Sequence, residues 1–322
     1  MRWLAGFGLL LVLAAIAAGG AFLWSWTGAG PADKPVVVVV PQGASLTRAA
    51  DLLEQEGALR SADLFRLQSR LLAAGGSIKA GEYEVPARAS AADILALLQS
   101  GKTVQRFVVI PEGLPSVLVQ ERLAKAPYLT GPAAVPEEGS VLPDSYSYLR
   151  GETRAAVLAR MQTAMTKELD RLWAARKPDI AVSSKQEAVT LAAVVEKETA
   201  KPSERRMIAG VYTNRLKQGM KLDADPTVIY PITKGRPLGR RILRSELQAD
   251  NGYNTYARAG LPAGPIANPG RESIAAVLNP EITSALFFVA DGTGGHVFAD
   301  TLAEHNANVA KWYAIRRARG EM

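Results

Sequence analysis

Two glutamates, Glu196 and Glu198, stand two residues apart in the run Gln186–Ala200, QEAVTLAAVVEKETA. Placed on a helix at about 100° per residue, Leu191, Val194 and Val195 form an apolar face, and Glu198 falls at its centre. Glu196 lies about 160° around from it, beside Ala192 and Val189, where solvent or a salt bridge would receive it. A carboxylate directed into an apolar interior has its pKa raised, which is what a general acid needs near neutral pH. The other reading is structural: Glu198 pairs with Arg205, Arg206 or Arg215.

Other polar groups cluster further along. Asp223-Ala-Asp225-Pro-Thr-Val reads as a fixed turn. Its acids either bond their own loop backbone or supply a second carboxylate or substrate ligand. Gly252-Tyr-Asn-Thr-Tyr256 brings aromatic rings and amides together. Rings cover the apolar faces of sugars while amides bond their hydroxyls, although ordinary turns use the same residues. His296 follows a Gly-rich turn, where a structural hydrogen bond is the commoner role. Asp291-Gly-Thr-Gly-Gly lacks the Lys-Ser/Thr ending of a phosphate loop.

Composition limits the chemistry. The chain has 322 residues, no cysteine and two histidines, His296 and His305. Disulfides, iron–sulfur clusters and Cys-ligated zinc are excluded, and a multi-His metal site has little material. Thirty-eight Lys and Arg against 31 Asp and Glu give a net charge of +7. Anionic lipid or an anionic wall polymer suits that surface better than nucleic acid, given the exported location argued below.

These residues need elements to hold them. Val36–Val40 reads as a strand. Ser45 caps a helix bearing Leu46, Ala49, Leu52 and Leu53, and a second helix from Ser61 carries Leu64, Phe65, Leu67, Leu71 and Leu72. Lys79–Val85 alternates as a strand, Ser90 to Asp93 is a capping box, and Gly101 ends that helix. With a strand over Thr103–Ile110, the result is a β-α-α-β-α-β unit. Helical patterns return at Ser116–Ala124, Thr153–Ala175, Gln186–Thr199 and Ser203–Gln218. The Gly/Pro-rich stretch Asn251–Gly270 is too long for a plain connection. Leu286–Ala290 and His296–Ala299 form a hairpin, and Thr301 caps a last helix to about Arg319.

Between Arg2 and Asp33 there is no charged residue, and Trp3–Trp26 is apolar almost throughout. About 20 such residues cross a bilayer core. Trp3, Trp24 and Trp26 would flank the span as interfacial rings, and Arg2 would hold the N-terminus on the cytoplasmic side. Gly28–Pro35 reads as a short linker. A cleaved signal peptide, cut near Ala17–Gly19 or Gly28–Gly30, is the rival reading. Either way the remainder lies outside the cytoplasm.

The motifs stand in a familiar order: Glu112-Gly-Leu, Leu142-Pro-Asp-Ser-Tyr146, Val195-Glu-Lys-Glu-Thr199 with Ser203-Glu-Arg205, Asn214 to Leu222, Asp225-Pro-Thr-Val228, Tyr253-Asn-Thr-Tyr256, Gly260 to Ile266, Asn268-Pro-Gly270, Phe288 to Gly292, Gly295-His296 and His305-Asn306. The chain resembles the YceG-like family of endolytic murein transglycosylases. The resemblance implies an α+β protein: a transmembrane anchor and linker over 1–30, a small LysM-like α/β subdomain over 31–110, and a mixed α+β catalytic domain over 111–322. It implies a single pass through the inner membrane, with the catalytic domain outside. The implied reaction is non-hydrolytic cleavage of nascent peptidoglycan between MurNAc and GlcNAc, leaving 1,6-anhydroMurNAc ends and terminating elongation. The family's catalytic glutamate is the second of its Glu-Lys-Glu-Thr motif, here Glu198. Asp225, Tyr253, Asn254, Thr255, Tyr256, Asn268 and His296 are then the expected substrate contacts, with no metal and no cofactor. Peptidoglycan synthases are candidate partners. Two alternatives stay open: a tethered peptidoglycan-binding scaffold, and a two-carboxylate muramidase with Asp225 as second acid.

Overall fold

The computed structural model describes residues 2–73 and 75–321, with side chains from Phe7 onward. The chain divides into two compact units, Met1–Arg106 and Phe107–Met322. Helices and antiparallel strands mix in both, so the fold is α+β.

The first unit runs α1 (Arg2–Thr27), β1 (Val36–Val40), α2 (Leu46–Gln55), α3 (Ala62–Leu72), β2 (Gly81–Val85) and α4 (Ala91–Ser100). β1 and β2 pair antiparallel with Val38 opposite Tyr83. Strand alternation sends Val38, Val40, Tyr83 and Val85 inward, while Val37 and Val39 face out. The inward residues pack with Leu53, Phe65, Ile94 and Leu98 from the three helices. The Ser45, Ser61 and Ser90 hydroxyls each accept a backbone N–H of the first helical turn. Gly101 ends α4 with φ 72°, a left-handed conformation that favours glycine.

Phe7–Thr27 of α1 has a mean hydropathy of 2.2 and is exposed as far as Ala21. It is long enough to cross a bilayer, as an anchor or a signal sequence does. Its last turns differ from expectation. Trp26 is not an interfacial ring: it is 9% exposed and rests on Phe65, with ring centroids 6.1 Å apart. Trp24 is exposed, and the Trp3 side chain lies outside the described residues. The Gly28–Pro35 segment is also tied down, since the Gly30 N–H donates to the Arg88 carbonyl and the Arg88 N–H to that of Ala32.

The second unit contains most of β3 (Arg106–Val109), then α5 (Ser116–Lys125), β4 (Ser145–Tyr148), α6 (Arg154–Ala174), α7 (Lys185–Glu198), α8 (Arg205–Lys217), α9 (Asp225–Thr233), α10 (Arg244–Gln248), α11 (Arg271–Leu278), β5 (Phe287–Ala290), β6 (His296–Ala299) and α12 (Leu302–Ala318). β3 pairs with β4, so the third strand of the expected β-α-α-β-α-β unit does not join β1 and β2. β5 and β6 form the expected hairpin, with Ala290 opposite His296. α9 replaces the expected Asp-Pro turn. Pro226 sits in its first turn, where a missing N–H costs nothing, and the helix tolerates Pro231 further on. At the centre lies α7, buried on every side from Ala188 to Val195. Tyr212 and Ile208 of α8 and Ile274 and Val277 of α11 pack around it.

Candidate active site

Ser184 caps α7 by accepting the Glu187 N–H, and the helix ends at Glu198, with Thr199 already extended. The last turn therefore delivers Glu198 from a buried helix to the rim of the core. Its Oε1 atom is buried and has no hydrogen-bond partner. None of Arg205, Arg206 and Arg215 pairs with it. Arg205 binds Glu112 and Glu196, Arg206 reaches Glu281 and the Asn279 carbonyl, and Arg215 binds Asp223 and the carbonyls of Lys221, Leu222 and Leu286. Burial pushes the Glu198 carboxyl from an ordinary 4.5 to about 7. A hydrogen bond from Tyr212 offsets part of that, the negative charge of Asp225 adds to it, and Arg215 opposes it. Tyr212 is itself fully buried and its hydroxyl pKa is raised well above the ordinary value, so it is a standing donor.

Glu196 has the opposite surroundings. Its side chain is 6% exposed, its Oε1 accepts from Arg205 at 3.1 Å, and its Oε2 accepts the Gly270 N–H at 2.9 Å. Arg205 also binds Glu112 at 2.7 Å. A Cβ on Gly270 would collide with the Glu112 carboxylate, which explains a glycine at the end of Asn268-Pro-Gly270. Of the two fates the helical face allowed Glu196, the salt bridge is the one adopted.

Beside Glu198 a cleft of about 390 Å³ opens between Glu198–Ala200, the β5–β6 turn with His296, Trp312 of α12 and Arg319 just after that helix. Such a volume lies in the usual range for small-ligand sites. His296 is oriented by Glu204, whose carboxylate accepts the His296 N–H at 3.0 Å and meets Nδ1 at 2.8 Å. Phe288 packs edge-on against the imidazole. Burial works against ionisation of Glu204, but the His296 contacts and the Thr199 hydroxyl outweigh it and hold the carboxyl below its ordinary range. Gly295 lets Glu204 and Lys201 come close, since a side chain there would strike both.

Asp225, the first residue of α9, is exposed and accepts the Tyr256 hydroxyl at 2.7 Å. Both act electrostatically on Glu198 or on Tyr212 beside it. Tyr253 lies against Tyr230, ring centroids 5.0 Å apart. Asn254 and Thr255 are each 2% exposed and face inward. The Asn254 amide donates to the carbonyls of Glu246, Leu247 and Ala249, so it braces the loop. The Thr255 hydroxyl accepts the Ala224 N–H and bonds Thr227, which ties the loop to the start of α9. Asn268 is fully buried and joins Val141, Leu114, Ser116 and Glu138. The structure thus gives Glu198 and His296 one cleft, couples Asp225 and Tyr256 to the same carboxyl, and sets Asn254, Thr255 and Asn268 behind the surface.

Comparison with known proteins places the chain in a family. Residues 38–311 match the YceG-like family. The chain belongs to that family. Relatives include the endolytic murein transglycosylases of Bacillus subtilis, 27% identical over 92% of this chain and 91% of that protein, and of Streptococcus pneumoniae, 28% identical over 94% of this chain. The chain spans 64% of the streptococcal protein's length. A crystal structure of a putative YceG-like protein from Listeria monocytogenes is 27% identical, with a TM-score of 0.50 over 85% of this chain and 99% of that one.

In this member of the YceG-like family, the groups that act on the Glu198 carboxyl are Tyr212, Asp225 and Arg215. The sequence offers Arg215 only as a pairing partner and carries no local sign of Tyr212. A tyrosine on the buried face of α8 reads as core from its spacing. Its hydroxyl gains meaning only when α7 is packed against it.

Proposed function

We propose that the protein is an endolytic lytic transglycosylase of peptidoglycan glycan strands, with Glu198 as both acid and base. The observation that carries this reading is a buried carboxyl at the rim of a cleft, held near pKa 7 without an ion-pair partner. Protonated Glu198 gives its proton to the glycosidic oxygen as the bond from MurNAc C1 to the GlcNAc oxygen breaks. The resulting carboxylate takes the proton of the MurNAc C6 hydroxyl as that oxygen bonds C1. The proton count closes, no water enters, and the product is a 1,6-anhydroMurNAc end. One carboxyl serves both steps. A cut within a nascent strand also ends its elongation.

α1 is the single-pass anchor in this reading, with Arg2 on the cytoplasmic side and the rest of the chain outside the inner membrane. The first unit is a LysM-like glycan contact, and Tyr256, Asp225 and His296 orient the sugar around Glu198. Peptidoglycan synthases are the partners a nascent-strand cutter would meet.

The position of Asp225 favours one second reading, hydrolysis with two carboxylates. Digestion of purified glycan strands separates the two by mass. Anhydro ends support transglycosylation, and reducing ends, heavier by one water, overturn it.

A further inference from the structure

The α3 helix carries three leucines that its amphipathic pattern should bury. Leu67, Leu71 and Leu72 are instead 50%, 66% and 38% exposed. Leu64, Leu67, Gln68 and Leu71 share one stripe of the helix. The Gln68 amide is directed at α1, donating to the Phe22 carbonyl at 2.6 Å and to the Ser25 hydroxyl at 2.7 Å. One turn earlier Phe65 meets Trp26. Contacts therefore pass from Trp26 back to Phe22 as α3 advances, so α3 descends along α1 toward the N-terminal end of the apolar helix.

Phe22 lies inside the apolar stretch Phe7–Thr27, about 7 Å from its end at 1.5 Å per residue. Leu71 and Leu72 continue one turn beyond Gln68. They come level with Phe22 or deeper. The chain from Leu71 to Ile78, LLAAGGSI, has no charge, and Arg70 and Lys79 flank it. Arg66 on the same helix is turned away, onto Asp51 and Asp63.

We propose that the exposed leucines at the C-terminal end of α3 rest in the lipid interface beside α1, as a second membrane contact of the first unit. This rests on reading α1 as a membrane anchor. The continuity of the leucines with α1 names the occupant: a phospholipid surface, with acyl chains meeting Leu67, Leu71 and Leu72 and the Arg70 head reaching phosphate. The contact makes the first unit a rigid extension of the anchor, holding it at a set height and tilt on the bilayer.

The absence of native cysteine allows a direct test. Leu71→Cys, Glu54→Cys and Leu13→Cys are each made in the full-length chain, labelled with an environment-sensitive fluorophore, and reconstituted into phosphatidylethanolamine/phosphatidylglycerol vesicles. Glu54 is exposed near the opposite end of the α2–α3 pair, and Leu13 lies mid-way along α1. The expected result is blue-shifted emission, quenched by shallow brominated lipid, at position 71, deep quenching at 13, and neither effect at 54. Quenching at 13 with position 71 indistinguishable from 54 overturns the second contact and leaves the anchor standing. No quenching at 13 overturns the anchor reading, and the α3 contact with it.

Discussion

Two sides of one helical turn handle a buried carboxylate in opposite ways. Around Glu196, Arg205 and the Gly270 N–H satisfy both oxygens, and Glu112 shares the arginine. Around Glu198, Oε1 has no partner and the available arginines bind elsewhere. The first region stabilises the fold by pairing its charge. The second tolerates an unpaired acid, and the tolerance takes the form of a raised pKa. Removing charge should therefore harm the first region's stability and the second region's activity.

The largest effect is expected from Glu198→Gln. Glycan cleavage should fall by about 10²–10⁴-fold, the usual range of a lost general acid–base group. The fold should persist, and stability should shift with pH. The folded-state pKa is raised from 4.5 to about 7, so the carboxyl's contribution is fully present below 4.5 and is lost as pH rises through 7. The variant lacks that loss, and at pH 8 it should be more stable than the parent by up to about 3 kcal/mol. Denaturant melts at pH 5 and pH 8 check this; a stability change independent of pH would contradict it.

Glu196→Gln tests the other side. It leaves Arg205 with Glu112 alone and should destabilise the fold by about 3 kcal/mol, as for a broken buried pair. Its kcat per folded molecule should change far less than in Glu198→Gln. Equal loss of kcat in both variants, at matched folded fractions, would erase the contrast between the two regions.

The pH profile of the parent sharpens it. Glu198 must be protonated to act as acid, so kcat/KM should decline as pH rises past about 7. A flat profile to pH 9 would remove Glu198 from that role.

Asp225→Asn should give the smallest change. Its negative charge helps raise the Glu198 pKa, so the falling limb should move to lower pH while anhydro products persist. Activity lost by about 10³-fold, without a shift of the limb, would instead mark Asp225 as a second catalytic carboxylate.

Short-range signals are legible in the sequence alone. The serine caps of α2, α3 and α4, the Gly101 stop, the β5–β6 hairpin and the Thr301–Glu304 capping box are set by residues within a few positions of one another, and all are found. The apolar face of α7 that carries Glu198 is equally local, although the structure buries the Glu196 side chain as well. α9 was hidden because its Asp-Pro start and internal Pro231 resemble a turn, and only packing on α7 makes it a helix.

What the sequence determined by itself was therefore local: where helices begin and stop, which strand faces turn inward, and that the N-terminal stretch is apolar enough for a membrane. The tertiary structure decided what each buried group meets. Glu196 finds Gly270, 74 residues away, and Arg205 finds Glu112 at a separation of 93. Trp26 finds Phe65, and Asn254 turns its amide into its own loop. Capping and periodicity act within one or two turns of chain, whereas a desolvated charge is governed by whatever the fold brings within a few ångströms. Glu198 has its raised pKa because the folded chain buries its carboxyl, sets the charge of Asp225 near it and turns the neighbouring arginines elsewhere, while the Tyr212 hydroxyl offsets part of the rise.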